Sequence, residues 1–92
     1  MKVHNLKTHP EMFRAVASLR KTYECRINDR DYNEGDLVVL WEFDPMTPDE
    51  FATKNRIRAK IGFCLHGPDY AVPLGYVLFS LLNVDTSESN LY

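Results

Sequence analysis

Between Lys54 and Ile61 cations and aliphatic side chains take turns, with Ile57, Ala59 and Ile61 set between Lys54, Arg56, Arg58 and Lys60. In an extended chain successive side chains point to opposite faces, so this order sorts four charges onto one face and the aliphatics onto the other. The segment Thr53 to Leu65 is therefore read as a strand with one wet face. A strand of this kind needs partners to bury its dry face, so the chain must build a sheet.

A second period-two stretch runs from Arg20 to Ile27. Lys21, Tyr23, Cys25 and Ile27 alternate with Arg20, Thr22, Glu24 and Arg26, which predicts a strand with Tyr23, Cys25 and Ile27 facing the core and Glu24 and Arg26 facing water. Lys21 falls on the apolar side, where a lysine must snorkel out or find an anionic partner. Asp36 to Phe43 is dense in Val, Leu, Trp and Phe and reads as a central strand, with Trp41 and Phe43 in the core. Val3 to Leu6 and Tyr76 to Leu82 are further strand candidates. One helix is expected, from Pro10 to about Leu19. Thr8 and Glu11 have the spacing of a capping box, Pro10 suits a first turn, and Met12, Phe13, Val16, Ala17 and Leu19 form one stripe. Polar loops at 28–35 and 66–69, and Pro45 and Pro48, break the strands. The order β-α-β-β-β-β predicts an α+β domain over residues 1–82: a small, mixed, mostly antiparallel β-barrel with one helix near the N-terminus. Residues 83–92 read as a flexible polar tail.

With 92 residues and 45% hydrophobic side chains, the chain can fill one core, and its composition is not that of a disordered segment. No apolar run approaches the roughly 20 residues of a membrane span. Met1 to Pro10 lacks the apolar stretch of an export signal, which predicts a cytoplasmic protein. Cys25 and Cys64 have no metal-type spacing and are expected as reduced thiols. His4, His9 and His66 are scattered, so neither a metal nor a cofactor is expected. The net charge is −2, and Asp85 and Glu88 account for the whole excess; residues 1–82 balance eleven bases against eleven acids. Any contact with nucleic acid must then come from a local basic patch rather than from bulk attraction.

The run Lys21-Thr22-Tyr23-Glu24-Cys25-Arg26, followed by Asn28-Asp29-Arg30-Asp31-Tyr32 and Gly35-Asp36, resembles the K-T-x-E-x-R-x-N-D-R signature of a small, uncharacterised ASCH-like family of bacteria and phages with a PUA-like fold. His4-Asn5-Leu6-Lys7, Pro10 to Val16, Glu42 to Pro45 and Gly75 to Leu78 fit it in order, so the resemblance covers most of the chain. Two positions depart from it. Leu19 stands where the family usually has Gly, and Ile27 replaces a usual base.

The resemblance implies a basic ligand cleft beside the helix and the second strand, with Lys7, Lys21, Glu24, Arg26, Arg30 and Tyr76 as candidate ligand-binding residues. It implies an RNA- or nucleotide-binding module. One branch of the superfamily hydrolyses acylated nucleosides with a Lys and a Thr on this strand plus a distant Glu. Lys21 matches that Lys, but the hydroxyl position is Glu24. If the chain is an amidohydrolase, Lys21 and Glu24 are its catalytic candidates. A small phage-type protein that binds a host protein is the third reading, suited by the balanced charge and acidic tail. Two groups remain from the residues alone. Lys54, Arg56, Arg58 and Lys60 are candidate phosphate contacts or a solvated face, and Tyr32 and Tyr76, beside turns, are candidate stacking platforms.

Overall fold

The computed structural model describes residues 1–89. Its elements are β1 (Val3–Thr8), α1 (Pro10–Ala17), β2 (Tyr23–Ile27), β3 (Leu37–Glu42), β4 (Arg56–His66) and β5 (Tyr76–Asp85), in the order expected from sequence. The five strands form one sheet in the order β1-β3-β4-β5-β2; β1 and β3 are parallel and the other three ladders antiparallel. Alternation in β4 does what the sequence requires, burying Ile57, Ala59 and Ile61 while Arg58 and Lys60 stay exposed. Phe13 and Val16 of α1 complete the core against Leu6, Val38, Leu40, Ile57, Ile61, Val77 and Phe79. Each such side chain contributes about 1.5–3 kcal/mol through removal from water.

The sheet curls without closing, which corrects the expected barrel. β1 and β2 are its two edges, and among the described residues no ladder joins them. A side chain spans the gap instead, where Nη2 of Arg26 donates to the Lys7 carbonyl oxygen at 3.1 Å. The result is a half-barrel with an open seam.

The seam strand β2 also faces the other way from its expected orientation. Residues directly opposite in an antiparallel ladder share a face. Glu24 lies opposite Phe79 and Arg26 opposite Val77, both fully buried, so Glu24 and Arg26 point inward. Tyr23, Cys25 and Ile27 point outward beside Ser80, Leu78 and Tyr76. Pairing with β5 decides the facing, and the polarity of β2 alone does not.

Three boundaries move for identifiable reasons. The helix ends at Ala17, with Ser18 as its cap residue, because Leu19 turns into the left-handed region at φ 63°. Leu19 is consequently exposed, Met12 is exposed within the helix, and Phe13 and Val16 are its buried residues. Thr8 is not the cap, since His9 holds that place without a side-chain bond and Thr8 is the last residue of β1. Lys54 sits at φ 56° ahead of β4, so three cations rather than four share the strand face. β5 runs to Asp85, three residues beyond the expected domain end, and the Arg56 amide donates to the Glu88 carbonyl oxygen at 3.3 Å. Residues 90–92 of the expected tail lie outside the described residues. Among the described residues no helix is long and apolar enough to cross a membrane.

Candidate functional site

The seam between β1 and β2 holds two adjoining cavities. The first, of about 470 Å³, is lined by Lys7 of β1, Cys25, Arg26 and Ile27 of β2, Arg30 and Tyr32 of the following loop, and Tyr76 of β5. The second, of about 320 Å³, is lined by Lys7, Thr8, His9 and Met12 on one side and Lys21, Glu24 and Arg26 on the other. Lys7, Cys25 and Arg26 line both, so the Arg26 bridge stands between them.

Glu24 is the pivot. Only 3% of it is exposed, and a buried carboxylate is costly unless paired. It accepts from Lys21 Nζ at 2.7 Å and from Arg26 Nε at 2.9 Å. Its burial follows from the inward facing of β2, and the two cations make that burial tolerable. The left-handed turn at Leu19 contributes as well: the Lys21 amide donates to the Ala15 carbonyl oxygen at 3.0 Å, which anchors Lys21 just ahead of β2. The expected conflict at Lys21 is thereby resolved, since its ammonium finds Glu24 and also lies over the Tyr23 ring at 5.3 Å from the centroid. One acid between two bases leaves the cluster with one excess positive charge facing the second cavity.

Arg26 has a second duty. Its Nη2 donates to the Lys7 carbonyl oxygen and to Thr8 Oγ1, at 3.1 and 3.3 Å. Glu24 therefore orients a guanidinium that ties one sheet edge to the other, the forked geometry that arginine supplies and lysine does not. Thr8 escaped the sequence reading as a site residue, although extending the β1 alternation by two residues would have set it on the inner face with His4 and Leu6.

The walls of the larger cavity are mixed. Arg30 is half-exposed and only loosely paired, 4.0 Å from Asp29. Tyr76 presents an exposed ring at the start of β5. Tyr32, expected as a stacking platform, is buried instead, with its ring 4.6 Å from His4 and 5.1 Å from Phe79, and burial raises its phenol pKa. Beneath it His4 Nε2 lies 2.9 Å from Asp36 Oδ2. Burial works against ionising Asp36, yet bonds from His4 and from the Lys2 and Asn33 amides outweigh it and hold the carboxyl at about 2. This pair braces the floor and lines neither cavity.

The cationic stripe lies elsewhere. Arg56 and Arg58 both pair with Glu88 on the outer face of β4, and Arg56 stacks over Trp41 at 5.0 Å. Trp41 is thus half-buried under a guanidinium, with its indole N–H donated to Asn5, and is not a core residue. Phe43, also expected in the core, is half-buried beside Lys7, Phe51 and His9. Lys54, Arg56, Arg58 and Lys60 line neither seam cavity, whereas Lys7, Lys21, Glu24, Arg26, Arg30 and Tyr76 all line one or both. Cys25 and Cys64 are free thiols, exposed and half-buried respectively. Among the described residues no cluster of His, Cys, Asp and Glu is arranged to hold a metal.

No curated protein matches this chain. A family model does, from residue 3 to residue 81, a span that runs from β1 into β5 and includes every seam residue named above. The chain belongs to the family described as a domain of unknown function, DUF3850.

Proposed function

We propose that this chain is a cytoplasmic, PUA-like module that binds RNA or a nucleotide-like ligand in the seam. The observation that carries the reading is the convergence of Lys7, Arg26 and Arg30 with the Tyr76 ring around one cavity, in which Asp29 is the one acid among the described lining residues and Glu24 holds Arg26 from behind. Cations beside an accessible aromatic suit a phosphate joined to a planar base. The remaining N–H groups of Arg26 and the loosely held Arg30 are the donors for phosphate, and Tyr76 is the platform for a base.

Fluorescence polarisation of a short labelled single-stranded RNA, competed with a mononucleotide, tests this. Arg30→Gln and Lys7→Gln should each weaken binding and lower the salt slope by about one. The double variant Arg56→Gln/Arg58→Gln should leave binding unchanged. Loss confined to that double variant would move the ligand to the outer face of β4, and absence of any binding would refute the reading.

A hydrolytic reading has one observation in its favour. Thr8 brings a hydroxyl from β1 into the cavity that Lys21 and Glu24 line, supplying the group that β2 lacks. Release of acetate from an N-acylated cytidine, abolished by Lys21→Ala, would support it; turnover no greater than buffer would dismiss it.

A further inference from the structure

A third cavity lies on the β3 side of β1. It holds about 360 Å³, within the range of small-molecule sites, roughly 300–1,000 Å³. Trp41 of β3 and Phe51 of the 43–55 loop give it two aromatic walls, and Asn5, Leu6 and Lys7 of β1 complete it. Asn5 Oδ1 accepts from the Trp41 indole N–H at 3.0 Å, which fixes the ring. Arg56 covers the same ring from β4, on the far side of β3 from β1. Phe51 is held by Phe43, with ring centroids 5.4 Å apart.

Lys7 is the one charged side chain in this lining. Its ammonium lies over the Phe43 ring at 5.0 Å and makes no ion pair among the described residues. The neighbouring loop is acidic, but Asp44 and Asp49 accept from its own amides, those of Met46 and Phe51, and Glu50 lines none of the three cavities. Asn5, Leu6 and Lys7 also line the larger seam cavity. Because β1 is an edge of the sheet, a single strand, about 5 Å across, divides the two cavities.

We propose that the Trp41–Phe51 cavity is a second base subsite, so that the ligand is a single strand of at least two nucleotides crossing β1. The inference rests on the seam reading above and deepens it. One base lies against Tyr76, the next against Trp41 and Phe51, and the phosphate between them meets Lys7. Aromatic walls accept the flat face of any base, and lysine supplies a point charge for phosphate. An apolar peptide side chain would fill the same walls and leave Lys7 without an anion.

Trp41 is the single Trp of the chain, so its emission reports on this cavity alone. A short single-stranded RNA should quench it, whereas a mononucleotide that binds by competition in the seam should not. Phe51→Leu keeps an apolar side chain in the loop but removes the ring. It should weaken the RNA at least about 5-fold, the low end of one lost base stack, and leave mononucleotide affinity unchanged. That unchanged affinity also reports an intact fold. Phe51→Tyr should restore RNA binding. RNA that binds without quenching Trp41 and is indifferent to Phe51→Leu would overturn the proposal while the seam reading stands, and the cavity would be a gap between loop and sheet. Equal quenching by the mononucleotide would overturn it as well, because Trp41 would then be reached without a neighbour in the seam. Absence of any binding would refute both readings together.

Discussion

Replacing Glu24 with Gln should destabilise the fold by about 2 kcal/mol, and the structure shows where that figure arises. The substitution keeps the shape of the side chain but removes the anion between Lys21 and Arg26. Breaking a fully buried ion pair from one side costs about 3–5 kcal/mol, mostly from the charge left behind. Here the stranded cations are not fully buried: their side chains keep 15% and 25% exposure, against 4% for Glu24. Both are long enough to swing outward, so part of the penalty is avoided and the cost falls to about 2 kcal/mol. For a domain of this size that corresponds to a melting temperature lower by about 8–16 °C. Urea denaturation followed by circular dichroism at pH 7 measures it directly. Arg26→Met added to Glu24→Gln should then cost less than the two changes taken separately, by at least about 1 kcal/mol, because they share one network. A Glu24→Gln protein that melts within about 2 °C of the parent, or strict additivity in the cycle, would show that the cluster is not an interdependent unit.

Two further outcomes are expected. Leu19→Gly should raise the melting temperature by about 3–6 °C, because a non-glycine residue in the left-handed region costs roughly 1–2 kcal/mol, glycine returns part of that as unfolded-chain entropy, and the exposed Leu19 side chain loses little burial; a lower melting temperature would refute the strain. Asp36 has a folded-state pKa of about 2, below its ordinary 3.8, so its stabilisation is fully present above about pH 4 and is lost as pH falls towards 2. Asp36→Asn should make the acid limb of a stability–pH profile shallower in that window, and an unchanged limb would contradict the assignment.

The loop 28–35 shows how a site can be half legible. Its polarity marks a loop, and Gly35 closes it at φ 89° with its amide donated to the Ile61 carbonyl oxygen at 2.9 Å, as a turn glycine should. Arg30 and Tyr32 lie two apart in that loop and look alike as ligand contacts. Both line the larger cavity, but Arg30 stays half-exposed while Tyr32 sinks against His4 and Phe79, above the buried His4–Asp36 pair. That pair joins residues 32 apart in the chain. No local pattern announces it.

What the chain determines locally is where strands and the helix lie. Period-two alternation in 57–61, the apolar density of 37–42 and the prolines at 45 and 48 are local steric and solvation effects, and they specify β4, β3 and the break between them without reference to the rest of the fold. Alternation cannot decide which face of an edge strand is inside, because that depends on the neighbour it pairs with. In β2 the apolar face lost. Register with β5 turns Glu24 and Arg26 inward beside Phe79 and Val77, and a left-handed residue at Leu19 positions Lys21 to meet Glu24. The fate of the cations at 56 and 58 was equally nonlocal, settled by an acid some thirty residues later at Glu88. Closure is nonlocal as well: among the described residues no ladder joins β1 to β2, and the Arg26 side chain bridges the two edges instead.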